Sequence, residues 1–427
     1  MHLRSAGVFR SAHTPYDLWN VTLHSVAEAL QLVLDRAEPL APRSIPAAEA
    51  LGCMLAEAVT SDIDSPPHDK SIVDGYAVRA ADVMVDGAVQ LRILEEVTAG
   101  AVPTQEVEAG TATRIMTGAP LPGGADAVVM IEKTTMDGDR VHVLAGPIRV
   151  GQNIMRRAAS LAKGHEVLAP GKLLRAIELG VLAEVGRTSV VAIPRPRVGV
   201  LATGNELVAP HETPGPGQIR NSNGPLLAAL VRQAGATPVE LGIARDTAAD
   251  LRAKITAGLA SDVLVLSGGV SAGVLDLVPQ VLSELQVQEI FHKVNLKPGK
   301  PLWFGILRRP NVAATLVFGL PGNPVSTLVC FELFVRPALE QLRGVPPRGL
   351  PRTKAWLTCE HQQRGERPTY WPATLQDARV TPLAWKGSGD LRTLTDASGL
   401  AFFPAGDRTF QVGDEIEVLM LGESPRA

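Results

Sequence analysis

The strongest constraint on the fold of this chain is a regular alternation of short apolar runs and helical stretches between residues 198 and 325. The apolar runs are VGVLA (198–202), PVELGIA (238–244), DVLVL (262–266) and ATLVFGL (314–320). Helical patterns cover 224–234, 247–259 and 276–286, and a longer one begins at Val325. Strands that alternate with helices predict a mainly parallel, doubly wound sheet, in which ligands bind beyond the C-terminal ends of the strands. We therefore expect the functional site in the loops that follow these strands.

Other patterns flank this region. Short strand-like runs between Gly and Pro turns predict a β-rich domain from about 75 to 170, and a second set beyond 347 predicts a small β-barrel or sandwich. The capping box Ser25-x-x-Glu28 begins a helix that runs to about Asp35, and a second short helix is predicted over 47–58.

These patterns predict a multidomain chain of the α/β plus β class. Its four domains are a helical linker domain (21–46 and 165–195), a β-rich domain (47–164), a central α/β domain (196–346) and a C-terminal β-barrel (347–424).

The composition excludes several classes of protein. A formal net charge of −3, from 41 basic and 44 acidic residues, argues against a general nucleic-acid binder. No apolar stretch approaches the ~18 residues of a membrane-spanning helix, and the first twenty residues lack an apolar core of the signal-peptide type. The three scattered cysteines form no CxxC pair and suit buried thiols in a reducing compartment. We expect a soluble cytoplasmic protein that contacts neither membrane nor nucleic acid.

Two acidic side chains follow the first two strands of the α/β region. Glu206 lies in the turn TGNEL (203–207), and Asp246 lies directly before a helical pattern. Taken alone, the turn is more typical of an ordinary strand-to-helix connection. Asp246 suits both a helix N-cap and a metal ligand, and the two roles do not exclude each other.

A glycine-rich loop follows the third strand. Its small and hydroxyl-bearing members are Ser267, Gly268, Gly269, Ser271 and Gly273, and Asp276 comes three residues later. Free N–H groups at the start of a helix favour a phosphate group, although a generic glycine-rich turn remains an alternative.

A cationic segment and a proline-rich turn complete the set of loops. The segment contains Lys293, Lys297 and Lys300, with Pro301 at its end. At an effective dielectric near 20, one lysine about 4 Å from a unit negative charge gains roughly 4 kcal/mol. The turn GLPGNPVS then places Pro321, Gly322, Asn323, Pro324 and Ser326 at the start of a helix.

Five strand-end loops thus supply lysines, backbone donors and carboxylates to one edge of the predicted sheet. This combination indicates an enzyme that acts on a phosphorylated anionic substrate together with a hard divalent cation such as Mg²⁺.

Seen together, these motifs resemble one known family. VDGYAVR (73–79), RIMTGAP (114–120), GQNI (151–154), TGNEL, SGGVSAG, KPGKP and GLPGNPVS occur in order at separations typical of the molybdopterin molybdenumtransferases, the MoeA and gephyrin E-domain family. The resemblance covers residues 22 to 424, approximately.

The resemblance implies a fold and a reaction. It implies an elongated four-part subunit whose α/β domain is similar to molybdopterin adenylyltransferases. It also implies a two-fold homodimer whose cleft lies between the α/β domain of one subunit and the β-rich domain of the other. Such enzymes bind adenylylated molybdopterin, hydrolyse its phosphoanhydride in a Mg²⁺-dependent step, release AMP and insert molybdate. The adenylyltransferase is an implied partner. A divergent paralogue that binds or scaffolds the cofactor without turnover is the alternative function.

The resemblance also assigns roles to residues. Those matching the family's catalytic positions are Asp74, Thr117, Glu206, Asp246, Asp276, Lys293 and Lys297, and the implied metal ligands are Asp246, Asp276 and Glu206. Pro321 and Pro324 shape the cleft, with Gly322 and Asn323 between them, and the glycine-rich loop binds the cofactor. The implied molybdate pocket comprises Lys297, Lys300, Pro301, Ser326, Arg367 and Ser388. One departure removes two acids, because Ala158-Ala159-Ser160 stands where the family usually has Gly-Glu-Asp.

Overall fold

The computed structural model describes residues 23–83, 88–144, 146–270, 277–310 and 312–422. The chain divides into two compact units, one spanning 42–193 and the other combining residues up to 41 with those from 194 onward. Each unit has hydrophobic cores of its own. Across the described ranges, no helix combines the length and the apolar character that crossing a membrane requires.

A six-stranded sheet forms the centre of the second unit. Its strands are β1 (Arg197–Thr203), β2 (Thr237–Ala244), β3 (Val263–Ser267), β4 (Gln288–His292), β5 (Trp303–Arg309) and β6 (Val312–Leu320). The order is β2-β1-β3-β6-β5-β4. The pairings of β1 with β2 and β3, and of β3 with β6, are parallel, whereas β5 is antiparallel to β6 and β4. The predicted α/β class is confirmed, with an antiparallel edge added.

Helices connect these strands and cover the sheet. Their bounds are Asn223–Gln233, Ala248–Gly258 and Leu277–Glu284. The last two pack together against Leu201, Leu264 and Leu266 in one apolar cluster. A short parallel pair, Leu207–Val208 with Ile219–Arg220, precedes the first of the helices.

The start of the second of these helices corrects one expectation. Thr247, in extended conformation, is the N-cap, and its hydroxyl accepts from the backbone N–H of Asp250 at 3.4 Å. The prediction that Asp246 caps this helix is therefore wrong. With the cap position filled by its neighbour, the Asp246 carboxylate faces the loop after β1 instead.

A long interrupted helix follows β6. Its segments are Pro324–Cys330, a π-helical turn Phe331–Val335 and Arg336–Leu342. Glu332 and Arg336 form a buried ion pair within it. The N-terminal helix Val26–Leu34 packs alongside, and the predicted capping box of Ser25 and Glu28 is confirmed.

The C-terminal region forms the predicted barrel. Five strands close it in the order Arg352–Leu357, Arg379–Pro382, Thr369–Gln376, Gly399–Phe403 and Glu415–Met420. A separate two-stranded antiparallel sheet pairs His361–Gln363 with Arg408–Phe410, and a 3₁₀ turn covers Arg392–Thr395.

The first unit is mostly β-structure. Its six-stranded sheet runs in the order Ala127–Met130, Gly75–Val78, Thr111–Ile115, Val89–Val97, Arg140–Val143 and Thr134–Asp137. A three-stranded sheet comprises Arg43–Pro46, Ser189–Ile193 and Met54–Leu55, beside the helix Ala176–Glu184. Two small pairs join Lys70–Ser71 to Ile154–Met155 and Val59–Thr60 to Glu166–Leu168, and 3₁₀ turns cover Ala80–Val83 and Ile131–Lys133.

The helix predicted over 47–58 is wrong. The structure has a single 3₁₀ turn at Ala47–Glu49, after which Gly52 adopts the left-handed φ of 76°. That conformation ends a helical turn, and the chain continues as the strand Met54–Leu55, which pairs with Ile193 and Ala192.

Candidate functional site

A pocket of about 1410 Å³ lies where the C-terminal ends of β1, β3 and β6 meet. Loops that follow these strands line it, together with barrel residues between 367 and 389. This is the edge of the sheet at which the alternating pattern predicts a ligand site.

Most of the predicted site residues line this pocket. They are Glu206, Asp246, Ser267, Gly268, Gly269, Lys297, Lys300, Pro301, Pro321, Gly322, Asn323, Pro324, Ser326, Arg367 and Ser388. Lys293 does not line it; its backbone N–H donates to Leu302 at 2.8 Å. Asp74 and Thr117 belong to the first unit. Ser271, Gly273 and Asp276 lie outside the described residues.

The glycine-rich loop packs against the end of β1. Gly268 and Gly269 adopt left-handed φ values of 93° and 66°. A Cβ on Gly268 would lie 2.6 Å from the Thr203 carbonyl oxygen, and one on Gly269 would lie 2.8 Å from the Thr203 hydroxyl. Since both the conformation and the space exclude a side chain, this loop requires two consecutive glycines.

Arg245 and Asn205 hold the acidic part of the pocket. The backbone N–H of Asn205 donates to the Asp246 carboxylate, and the Asp246 N–H donates to the Asn205 side-chain oxygen, both at 3.1 Å. One guanidinium nitrogen of Arg245 donates to the carbonyls of residues 204, 205 and 207 at 3.4, 3.2 and 2.8 Å. The loop that carries Glu206 is thereby fixed beside Asp246.

The cationic segment is joined to the barrel through its backbone. The Lys297 N–H donates to the Pro368 carbonyl at 2.9 Å, and the Lys297 carbonyl accepts from the Tyr370 N–H at 2.8 Å. The Arg367 guanidinium donates to the Leu296 carbonyl at 3.3 Å. These bonds, together called the strap, align the lysine segment with the first part of the barrel strand Thr369–Gln376.

A buried thiol supports the turn of the same segment. Gly299 has a φ of 125°, and a Cβ there would lie 2.6 Å from the sulfur of Cys330. Cys330 is fully buried and its thiol donates weakly to the Gly299 carbonyl at 3.6 Å. Burial raises the pKa of this thiol, so it stays protonated at neutral pH.

Ser388 connects the barrel to the helix after β6. Its hydroxyl accepts from the Asn323 amide at 2.8 Å, and its carbonyl accepts from the Val325 N–H at 3.1 Å. These two hydrogen bonds hold Ser388 beside the pocket.

Sequence reasoning missed several residues of the pocket wall. Trp371 and Trp385 line it with their rings edge to face at 5.0 Å, and Lys386 and Arg220 add positive charge. Trp385 and Lys386 directly precede a Gly-Ser-Gly turn, which is the signal that could have found them.

The charged residues of the lining are mostly basic. Among the described lining residues, five side chains are basic (Arg220, Lys297, Lys300, Arg367 and Lys386) and two are acidic (Glu206 and Asp246). Such a surface favours an anionic ligand. Among the described residues, no cluster of three His, Cys, Asp or Glu side chains could by itself hold a metal ion.

The fold and this pocket define a multidomain α/β protein with a mostly basic pocket at the C-terminal ends of its parallel strands. Family models identify the parts: residues 24–186 match the MoeA N-terminal region (domains I and II), 199–341 match a probable molybdopterin binding domain, and 354–421 match the MoeA C-terminal region (domain IV).

Whole-chain relatives agree with these matches. The chain is 36% identical over 432 residues to a molybdopterin molybdenumtransferase of Nostoc, covering 98% of both chains. It is 35% identical over 410 residues to molybdopterin molybdenumtransferase 2 of Mycobacterium tuberculosis, covering 93% of this chain and 99% of the relative. A crystal structure of the molybdopterin biosynthesis MoeA protein from Pyrococcus horikoshii OT3 superposes with a TM-score of 0.71 at 30% identity, covering 93% of this chain and 100% of that one. The chain belongs to the molybdopterin molybdenumtransferase (MoeA) family, and the resemblance stated from its motifs is confirmed.

Proposed function

We propose that this protein inserts molybdate into adenylylated molybdopterin, with Mg²⁺-dependent hydrolysis of the phosphoanhydride and release of AMP. The observation that carries the proposal is the pocket itself. It combines a glycine-rich loop, two carboxylates and several basic side chains at the C-terminal ends of the parallel strands of one sheet.

The basic side chains suit the anionic parts of both substrates. Lys297, Lys300 and Arg367 can neutralise molybdate, and the hydroxyls of Ser326 and Ser388 can donate to its oxygens. One lysine at about 4 Å gains roughly 4 kcal/mol with a unit negative charge at an effective dielectric near 20. This is enough to hold an oxyanion in place.

The acidic side chains suit a hard divalent cation. Glu206 and Asp246 present oxygen ligands, and the bonds from Asn205 and Arg245 fix the loop that carries them. Asp276 follows the third strand and is the further ligand that the sequence implies. Bound Mg²⁺ would polarise the phosphoanhydride and offset its charge. The protein's own groups orient the substrate, so that water adds to phosphorus as the P–O bond to AMP breaks.

The assembly is part of the proposal. We expect a two-fold homodimer of about 90 kDa, twice the chain mass of 45.2 kDa. In that dimer, Asp74 and Thr117 of one subunit would serve the pocket of the partner copy. The molybdopterin adenylyltransferase would supply the substrate.

The decisive experiment measures AMP release in a single turnover with excess Mg²⁺. Asp246→Asn should release AMP at least about 100-fold more slowly, because preorganised charge has been removed. Asp407→Asn is the matched control, since its exposed carboxylate also accepts from a backbone N–H, that of Gly365 at 2.7 Å, outside the pocket.

Two outcomes would contradict the proposal. Normal AMP release by folded Asp246→Asn would remove Asp246 from the reaction. A wild-type protein that binds the substrate tightly but releases no AMP would favour the non-catalytic, cofactor-binding alternative.

A further inference from the structure

Two buried polar atoms in the pocket have no hydrogen-bond partner among the described residues. They are the hydroxyl of Thr203, a residue 3% exposed, and the side-chain carbonyl oxygen of Asn223, a residue 9% exposed. Both residues line the pocket. Because a buried polar atom without a partner is costly, native proteins rarely retain one unless a ligand or water completes it.

The orientation of the Asn223 amide is fixed by its neighbours. Its nitrogen donates to the Gly322 carbonyl at 2.6 Å and to the Ser267 hydroxyl at 2.7 Å. A carbonyl can only accept, so the atom beside Gly322 must be the NH₂ group. Both N–H bonds are then used, and the amide oxygen is left as an acceptor.

The Thr203 hydroxyl lies beneath the glycine-rich loop. The positions at which Gly268 and Gly269 would carry a Cβ are 3.1 and 2.8 Å from this oxygen. The absence of side chains at these two glycines keeps the space beside the hydroxyl clear. A hydroxyl can donate or accept, so it suits either edge atom of a ring.

The Asn223 side-chain oxygen can only accept a hydrogen bond, so its partner on the substrate must be a donor. Ionised phosphate and molybdate oxygens have no proton to donate, so they cannot satisfy the Asn223 oxygen. An exocyclic amino group on a planar nitrogen heterocycle can donate a hydrogen bond to this oxygen. Pterin and adenine, the two heterocycles of the proposed substrate, both carry such a group next to a ring nitrogen.

We propose that Thr203, Asn223 and Ser267 form a subsite that recognises the amino-bearing edge of a nitrogen heterocycle. This inference rests on the proposed function, because that function supplies the substrate. The Asn223 oxygen accepts from the amino group, and the Thr203 hydroxyl bonds to the adjacent ring atom.

The test compares ligands that differ in one amino group. Pterin is paired with lumazine, and AMP with IMP; in each pair an amino group is replaced by an oxo group. Affinities are measured by calorimetry and by the fluorescence of Trp371 and Trp385, which line the same pocket. We expect the amino form of one pair to bind at least about tenfold more tightly, since a site built for a donor rejects its analogue. The pair that discriminates identifies which heterocycle occupies the subsite.

Variants test whether Asn223 and Thr203 cause the preference for the amino form. In Asn223→Ala the preference should fall to less than about twofold. Gln341→Ala is the control, because its amide also donates to two backbone carbonyls, those of Leu34 and Ala37, away from the pocket. Gln341→Ala also loses two side-chain hydrogen bonds, but it should keep the full preference for the amino form.

Thr203→Val keeps the test decisive if Asn223→Ala does not fold. The Thr203 hydroxyl has no hydrogen-bond partner within the described ranges, so valine of similar shape should leave the melting temperature unchanged or raised. The same variant should bind the preferred heterocycle about tenfold more weakly. A purely structural residue would not separate stability and affinity in this way.

The inference fails if wild type binds both members of each pair equally, or if it binds none of the four probes. It also fails if Thr203→Val and Asn223→Ala retain full discrimination. AMP release by the wild type is measured in parallel. Normal release with no discrimination would overturn the subsite alone, whereas absent release with intact discrimination would overturn the proposed reaction alone.

Discussion

Thr117 donates two hydrogen bonds to a single carboxylate oxygen of Asp74. Its backbone N–H and its hydroxyl each lie 2.7 Å from Asp74 Oδ1. These bonds hold the pKa of Asp74 below its ordinary value, the backbone donor contributing most and the hydroxyl second. The carboxylate is therefore charged and fixed in direction at neutral pH.

Thr117→Val should raise the pKa of Asp74 toward its ordinary value, because the hydroxyl is lost and the backbone donor remains. The wild-type bonds stabilise the fold above the unfolded pKa of about 3.9, and this contribution is lost as the pH falls through the lower folded pKa. The difference in stability between wild type and variant should thus shrink in acid. Titration of the carboxyl carbons by NMR measures the shift. Thr134→Val, whose hydroxyl donates to the Ile131 carbonyl, is the control and should leave Asp74 unchanged.

Ala158→Gly should stabilise the protein by about 1 kcal/mol, because Ala158 holds a left-handed φ of 60° that costs an ordinary residue roughly this much. Ala159→Gly is the matched control, since its φ is not positive and added flexibility should weaken the fold. Urea unfolding followed by circular dichroism measures both. Equal effects of the two substitutions would contradict the assignment of strain to Ala158.

The thiols should differ sharply in reactivity. Cys359 is exposed, whereas Cys53 and Cys330 are buried and burial raises the pKa of Cys330. Because the thiolate is the reactive form, one thiol per native chain should react promptly with a disulfide reagent and three should react after unfolding. Rapid labelling of Cys330 in the native Cys359→Ser variant, identified by peptide mapping, would show that the segment around Gly299 opens.

Lys297→Ala combined with Lys300→Ala should weaken molybdate binding at least about tenfold, the scale of a lost charge-assisted hydrogen bond. The strap uses the backbone of Lys297, so the loop should keep its place. Lys163 and Lys172 are exposed and outside the pocket, and their double alanine variant controls for the loss of two charges. Calorimetry with molybdate compares the two; unchanged affinity in the first variant would remove these lysines from the molybdate site.

The α/β domain and the barrel were predictable from sequence because burial leaves a local pattern. Val263–Ser267 is buried at every position, and its first four residues form a short unbroken apolar run. The choice of N-cap was not predictable in this way. Asp246 and Thr247 are adjacent and both suit a cap, and the choice depends on Asn205, which lies 41 residues away in sequence.

Residues brought in by the barrel were the hardest part of the site to predict. Trp371 reaches the pocket from a barrel strand whose register pairs it with Ala401, and Trp385 reaches it from the segment after the strand Arg379–Pro382. The sequence around Trp371 shows apolar residues of a half-buried strand and does not distinguish a pocket wall from a core. For Trp385, the Gly-Ser-Gly turn that follows is the one local signal. The glycine-rich loop, by contrast, was predictable since its backbone conformation and its lack of space both require glycine.

The strap has a consequence for how such a protein could arise. The lysine segment belongs to the α/β domain by sequence, yet two of its backbone hydrogen bonds are made by residues 368 and 370 of the barrel. A gene fragment encoding the α/β domain alone would inherit the lysines without the template that aligns them. The alignment of the lysine segment is therefore a property of the fused pair, and recombination at the junction near 347 would separate the lysines from the strand that aligns them.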